Sequence, residues 1–347
     1  MSARESIIPV FVPHFGCPND CVFCNQRRIS GSLTPATPED VKKAVHDAAA
    51  LPREGVKRQL AFYGGSFTAI PKIEQEALLG AAYELLCAGE IDAIRLSTRP
   101  DAIDGEVLSR LKRFRVETVE LGAQSMDERV LLLAGRGHTA VDVENASKMI
   151  KEAGFRLILQ MMTGLPGADD ESSIETAQKL IALKPDGVRI YPTVIVRDTA
   201  LFDLWQAGRY AEHTVEDAVR VCAKLLPMFD AAGIPVIRLG LNPTDELSNG
   251  AAAGGAYHPA LGEMVKSRIM RQKAEELLEG IESNSSVILG VHKSRISQMT
   301  GQHRCNIDYL CRKFALKELK IKPADVTERE VVLINGVGSL AEGAVTK

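Results

Sequence analysis

The chain reads as an α/β protein: a partial, open-sided (β/α)6-type TIM barrel with a small α/β extension at its carboxyl end. Three observations predict this. Residues 7–239 alternate short β-rich apolar runs with segments of helical length and period, the pattern of parallel strands joined by helical crossovers. The strand–helix units number six or so, short of the eight, in about 250 residues, that close a barrel. Past residue 285 the alternation resumes on a smaller scale, strand then helix then strand.

In order, the strands fall at 7–12, 59–63, 93–97, 118–121, 156–161 and 187–191, with the apolar run 235–239 as a candidate seventh. Helix starts between them carry recognisable signals. Thr37 precedes Pro38 and has Asp40 three residues on, which suits a cap followed by proline at the first helical position. Ser125 with Glu128, Thr139 with Asp142, and Thr214 with Asp217 repeat the capping-box spacing. The last of these opens a helix over 215–232. Residues 249–255 are mostly alanine and glycine and read as a flexible loop. A long helix follows over 261–279, then strands at 287–291 and 316–321 flanking a helix at 307–314. The expected organisation is a barrel over 1–245, a loop and connecting helix over 246–285, and a small basic α/β unit over 286–347.

Composition narrows the class. Apolar residues make up 45% and charged residues 25% of 347, which is ordinary for a globular protein. No apolar run reaches 18 residues, so no membrane helix is expected. The polar start lacks the apolar core of a signal peptide, and a cytoplasmic location is expected, where thiols stay reduced. The net charge of -3 hides an asymmetry, because residues 266–322 hold roughly 12 Lys and Arg against roughly 6 Asp and Glu. A basic third on an acidic body is compatible with a polyanionic partner, or with an ordinary solvated surface.

Seven cysteines occur, and three lie within eight residues: Cys17-x3-Cys21-x2-Cys24. Thiolates at this density suit zinc or an iron–sulfur cluster. A closed zinc site wants four ligands, and no second Cys-x2-Cys follows. Three thiolates suit a 4Fe-4S cluster with one iron open to a small molecule. Zinc with His14 or His138 as fourth ligand is the alternative. Cys87, Cys222, Cys305 and Cys311 show no ligand-like pairing.

The cysteine loop, Gly64-Gly65, Ser97-Thr98-Arg99, Gln124-Ser125 and Tyr191-Pro192 all follow strand ends, so the fold brings them to one face. Paired glycines let backbone approach a ligand closely. Arg136 is suited to a carboxylate, or is a plain loop arginine. Gln124, Ser125 and Gln160 can hydrogen-bond a ribose or a base.

The cysteine motif resembles the signature of the radical S-adenosylmethionine (radical SAM) superfamily. The segments 8–17, 62–68, 97–101, 120–125, 136–138, 164–167 and 190–192 resemble, in that order, its Elongator catalytic-subunit branch. This resemblance implies a 4Fe-4S cluster on Cys17, Cys21 and Cys24, with S-adenosylmethionine chelating the fourth iron. It also implies reductive cleavage to a 5′-deoxyadenosyl radical. Gly64 and Gly65 would contact the methionyl amine and Arg136 its carboxylate. Ser97, Arg99, Gln124, Ser125, Gln160 and Tyr191 complete the expected cofactor-binding set, Tyr191 being equally readable as a core residue. Tyr257 and His258 follow the glycine-rich loop and are candidates for the radical step, unless Pro259 merely starts the next helix. The implied partners are tRNA or other RNA and an electron donor of flavodoxin or ferredoxin type. The Elongator catalytic subunit also carries an acetyltransferase domain, for which the residues after 286 are too few. A small-molecule radical SAM enzyme and a non-catalytic RNA-binding scaffold are the other readings.

Overall fold

The structure, a computed structural model, describes residues 4–12, 21–24, 35–49, 55–241 and 250–336. His14 and Cys17 lie outside them. Contacts divide the chain into two compact units, Met1–Pro259 and Ala260–Lys347.

The first unit is built on seven parallel strands: β1 (Arg4–Phe11), β2 (Val56–Tyr63), β3 (Ala93–Thr98), β4 (Val116–Gln124), β5 (Arg156–Thr163), β6 (Gly187–Pro192) and, beyond the short β7 (Val194–Val196), β8 (Val236–Leu239). They lie in the order β1-β2-β3-β4-β5-β6-β8, so the run at 235–239 is the seventh strand. Between them come α1 (Pro38–Ala48), α2 (Lys72–Cys87), α3 (Gly105–Arg113), α4 (Glu128–Leu133), α5 (Ala140–Glu152), α6 (Asp170–Ala182), α7 (Ala200–Gln206) and α8 (Val215–Ala231).

The sheet is curled into a half-barrel, and side-chain distances prove it. Four strand spacings in a flat sheet would span about 19 Å. Yet Arg156 on β5 reaches Glu5 on β1 at 3.4 Å, and Arg189 on β6 reaches Tyr63 on β2 at 2.9 Å. Alternation then sorts the residues. Leu60 and Phe62, Ile94 and Leu96, Val119 and Leu121, Leu157 and Leu159, and Val188 and Ile190 are fully buried in the apolar layer. Their neighbours Tyr63, Arg95, Glu120 and Arg189 form the lumen.

Three of the expected capping boxes form. Thr37 and Asp40, Thr139 and Asp142, and Thr214 and Asp217 each exchange backbone and side-chain bonds of 2.8–3.2 Å. The fourth differs. Asp127, not Ser125, caps α4 through Arg129 N and Val130 N, and Ser125 Oγ instead accepts from Asp127 N at 3.1 Å. A carboxylate nearer the helix outcompetes the hydroxyl two residues earlier.

The stretch 249–255 is not simply a loop. Its end is a strand, β9 (Ala252–Gly255), antiparallel to β7. Small residues are needed there for close approach rather than mobility: a Cβ on Gly255 would lie 2.7 Å from Thr193 O. Gly255 N also donates to Glu212 at 2.7 Å.

The second unit comprises α9 (Leu261–Leu278), β10 (Ser286–Val291), α10 (Ile296–Thr300), α11 (Cys305–Lys313), β11 (Glu318–Pro323) and β12 (Val331–Gly336). Its sheet runs β11-β10-β12, with β12 antiparallel and unanticipated from sequence. Met270, Ala274 and Leu278 of α9 share a core with Val287, Leu289, Leu310 and Leu319. Among the described residues no helix is long and apolar enough to cross a membrane.

Candidate active site

The cysteine segment is fastened at both sides. Cys24 N donates to Cys21 O at 2.9 Å, making a tight turn. Val22 N donates to Ala134 O at the end of α4, and Val22 O accepts from Leu201 N at 2.7 Å on α7. Phe23 packs against Val130, Ala134 and Leu165. The turn therefore holds its thiols by backbone bonds and one apolar anchor, with Cys21 buried and Cys24 partly exposed.

Arg136, just before the Thr139 cap, points into this turn. Its Nη1 donates to Cys21 Sγ at 3.3 Å and its Nη2 to Gly122 O at 2.8 Å. Gly122 gives both side chains room, because a Cβ there would stand 2.7 Å from Gln124 Nε2 and 3.3 Å from Arg136 Nη2 and displace their ends. Arg99, 1% exposed, forks onto Asp101 at 2.8 and 3.0 Å and donates to Arg136 O at 2.6 Å. It is thereby committed to protein partners. Among the described residues, Arg136 Nε and His138 Nδ1 are buried with no hydrogen-bond partner.

His138 Nε2 lies 3.1 Å from Ala123 O, so the ring donates there. Burial, and next the Arg136 charge, hold its pKa down at about 4. An unfolded histidine binds its proton near 6.5, so between about 6.5 and 4 the unfolded chain takes up a proton that the folded chain refuses. Stability is complete above that window and is lost as pH falls through it. A His138→Asn variant should show a flatter dependence of Tm on pH between 4 and 6.5; an unchanged slope would contradict this assignment.

Gly64 and Gly65 end β2 beside β1. Gly64 has φ +94°, and a Cβ would meet Phe11 at 3.2 Å; Gly65 O accepts from Ser97 Oγ at 3.4 Å. Gln124, with φ +66° at a bulge in β4, accepts from Gln160 Nε2 at 3.2 Å. The structure thus joins Cys21 with Arg136 and Arg99, Gly65 with Ser97, and Gln124 with Gln160. Ser125 is engaged elsewhere, buried against Thr176 of α6 at 3.3 Å. Tyr257 packs with Val194, Val196 and Ala251 on the β7–β9 ladder, and His258 follows it.

Tyr191 faces the lumen with its hydroxyl 3.5 Å from Arg189 Nη1, and burial pushes its pKa up. Below it lies a charge cluster that was not singled out in the sequence. Glu120 takes Arg189 Nε at 2.7 Å, Arg189 Nη2 at 3.1 Å and the Tyr63 hydroxyl at 2.8 Å, with Arg95 Nε 3.2 Å away. The overlooked signal was a charge at mid-strand between apolar neighbours, as in Ile94-Arg95-Leu96, Val119-Glu120-Leu121 and Val188-Arg189-Ile190.

Comparison with known proteins agrees with this architecture. The Radical SAM superfamily description matches residues 11–180, and the Radical_SAM C-terminal domain matches residues 185–271. Elongator complex protein 3 of Homo sapiens is 34% identical over 138 residues, 39% of this chain and 25% of that protein. The tRNA uridine(34) acetyltransferase of Methanocaldococcus jannaschii is 30% identical over 132 residues, 37% of this chain and 24% of that one. The matched stretch is thus about a quarter of either relative. The structure of the archaeal Methanocaldococcus infernus Elp3 with an N-terminal deletion superposes with a TM-score of 0.61 at 19% identity, over 83% of this chain and 71% of that one. That likeness speaks to fold. Taken with the seven parallel strands and the thiols at their carboxyl edge, the matches place this chain in the radical SAM superfamily of enzymes, in its Elongator-like branch.

Proposed function

We propose that the chain binds a 4Fe-4S cluster on Cys17, Cys21 and Cys24, cleaves S-adenosylmethionine reductively, and modifies RNA, tRNA foremost. The observation that carries the reading is the meeting of buried Cys21 and Arg136 with the Gly122 carbonyl at the strand ends. The residues present fit the two groups. Cys21 and Cys24 share one fastened turn, and among the described residues Arg136 Nε and His138 Nδ1 are buried donor and acceptor without partners. When bound, the cluster supplies the single electron that cleaves S-adenosylmethionine homolytically. Arg136 Nε is free to take a carboxylate, and the Gly64-Gly65 backbone an amine. Ser97, Gln124 and Gln160 offer polar contacts to ribose or base. Arg99 acts through Arg136, holding its carbonyl. A flavodoxin- or ferredoxin-type protein would deliver the electron.

The RNA part rests on the branch and on the tRNA uridine acetyltransferase activity for which the archaeal relative is named. The basic carboxyl unit supports it less than its composition implies. Lys266 pairs with Glu263, Arg271 and Lys313 with Glu275, Lys320 with Glu318, and Arg295 with Glu328. Lys293, Arg304, Lys317 and Lys322 make no ion pair among the described residues. If these few carry the phosphate contacts, log affinity should fall with log salt at a slope of roughly -3. A slope near -8 would mean that the paired residues open to bind RNA, and salt-insensitive binding would remove RNA from the proposal. Comparison of modified nucleosides in tRNA with and without the protein tests the substrate class directly; identical profiles would defeat it.

A further inference from the structure

We infer that Arg136 tunes the reduction potential of the cluster through its bond to Cys21, and that Arg99 and Asp101 are the positioning residues that aim it. The inference rests on the functional reading above. An arginine side chain ordinarily samples many rotamers, but here it is held at both ends. Its guanidinium is pinned by Gly122 O at 2.8 Å and its own backbone carbonyl by Arg99 Nη2 at 2.6 Å. Arg99 is in turn fixed by the two-pronged bond to Asp101 at 2.8 and 3.0 Å. The chain of contacts ends at Cys21 Sγ, 3.3 Å from Arg136 Nη1.

Both arginines and Cys21 are buried, at 1%, 7% and 6% exposure, so the positive charge is poorly screened. A donor to a ligand sulfur, and a cation beside it, favour whichever cluster state carries more negative charge. That is the reduced state, so Arg136 raises the potential. A guanidinium serving only to brace the loop would not.

The test is a potentiometric titration of the reconstituted cluster, followed by electron paramagnetic resonance in the absence of substrate. Arg136→Met should shift the oxidised-to-reduced ratio about tenfold toward oxidised, equal to a 59 mV fall for a one-electron couple. Arg136→Lys keeps the charge and loses the two-point fork, so it should fall by less, and it covers the case in which the methionine variant does not fold. Asp101→Asn separates positioning from simple electrostatics. Removing a negative charge alone would raise the potential, whereas loosening Arg99 and Arg136 lowers it. An unchanged potential in an Arg136 variant that retains its iron would overturn the inference, and a rise in Asp101→Asn would overturn the positioning role. Failure of the unaltered protein to take up iron would instead overturn the functional reading beneath it.

Discussion

Replacing Cys24 with alanine is expected to leave a folded chain that holds no stable cluster, and whose release of 5′-deoxyadenosine drops by roughly a hundredfold or more. Even outer partners of metal ligands cost 10–100-fold when removed, and Cys24 is assigned to the ligand set itself. It is the informative choice because it is partly exposed on the turn, so its loss should change stability by no more than about 0.5 kcal/mol. Cys21 differs. It is buried and accepts from Arg136, so Cys21→Ala also strands an N–H and adds a cost of about 1–3 kcal/mol. Thermal unfolding and iron content of the two variants should therefore diverge: both lose iron, but only Cys21→Ala loses appreciable stability. A Cys24→Ala protein with full iron content would remove that residue from the ligand set.

The largest effect on stability is expected at Glu120. Its carboxylate, 4% exposed, lies within ion-pair distance of Arg95 at 1% and Arg189 at 11% exposure. Glu120→Gln leaves two guanidiniums in the lumen without a counter-charge, and breaking a buried pair in this way costs about 3–5 kcal/mol. For a unit of this size that is a fall in Tm of roughly 10 °C. The Tyr63 hydroxyl, whose pKa is raised by burial and then by Glu120, exchanges a charged acceptor for a neutral amide oxygen. Combining Glu120→Leu with Arg189→Met should recover part of the loss, because an apolar replacement removes the stranded charge together with its partner. Denaturant midpoints decide it. A loss under about 1 kcal/mol in Glu120→Gln would mean that water enters the lumen and screens the arginines.

How far the residues disclosed this architecture depends on which physical signal each element carries. Seven strands were legible because each is an apolar run between caps and turns, and the threonine–aspartate boxes of α1, α5 and α8 formed where the spacing placed them. The strand β9 was not legible, since alanine and glycine look mobile in sequence; their smallness instead allows backbone to approach Thr193 and Ile195. The cap of α4 was misplaced by two residues because Ser125 and Asp127 both carry acceptors and only geometry decides between them.

At the site, spacing identified the cysteines and the glycine pair, while the partnership of Arg99 with Asp101 depended on a turn that sequence does not specify. The Glu120 cluster joins β2, β3, β4 and β6, which lie far apart in the chain. β2, β3 and β4 are neighbours in the sheet, and its curl brings Arg189 of β6 across to Tyr63 of β2.

We propose that three thiols hold an iron cluster with one corner open to S-adenosylmethionine. The most direct measurement is the electron paramagnetic resonance spectrum of the anaerobically reconstituted, dithionite-reduced protein, recorded with and without S-adenosylmethionine. The expected result is about four irons per chain and a signal that changes when S-adenosylmethionine is added. Stoichiometric zinc without iron, or an iron signal indifferent to S-adenosylmethionine, would contradict it.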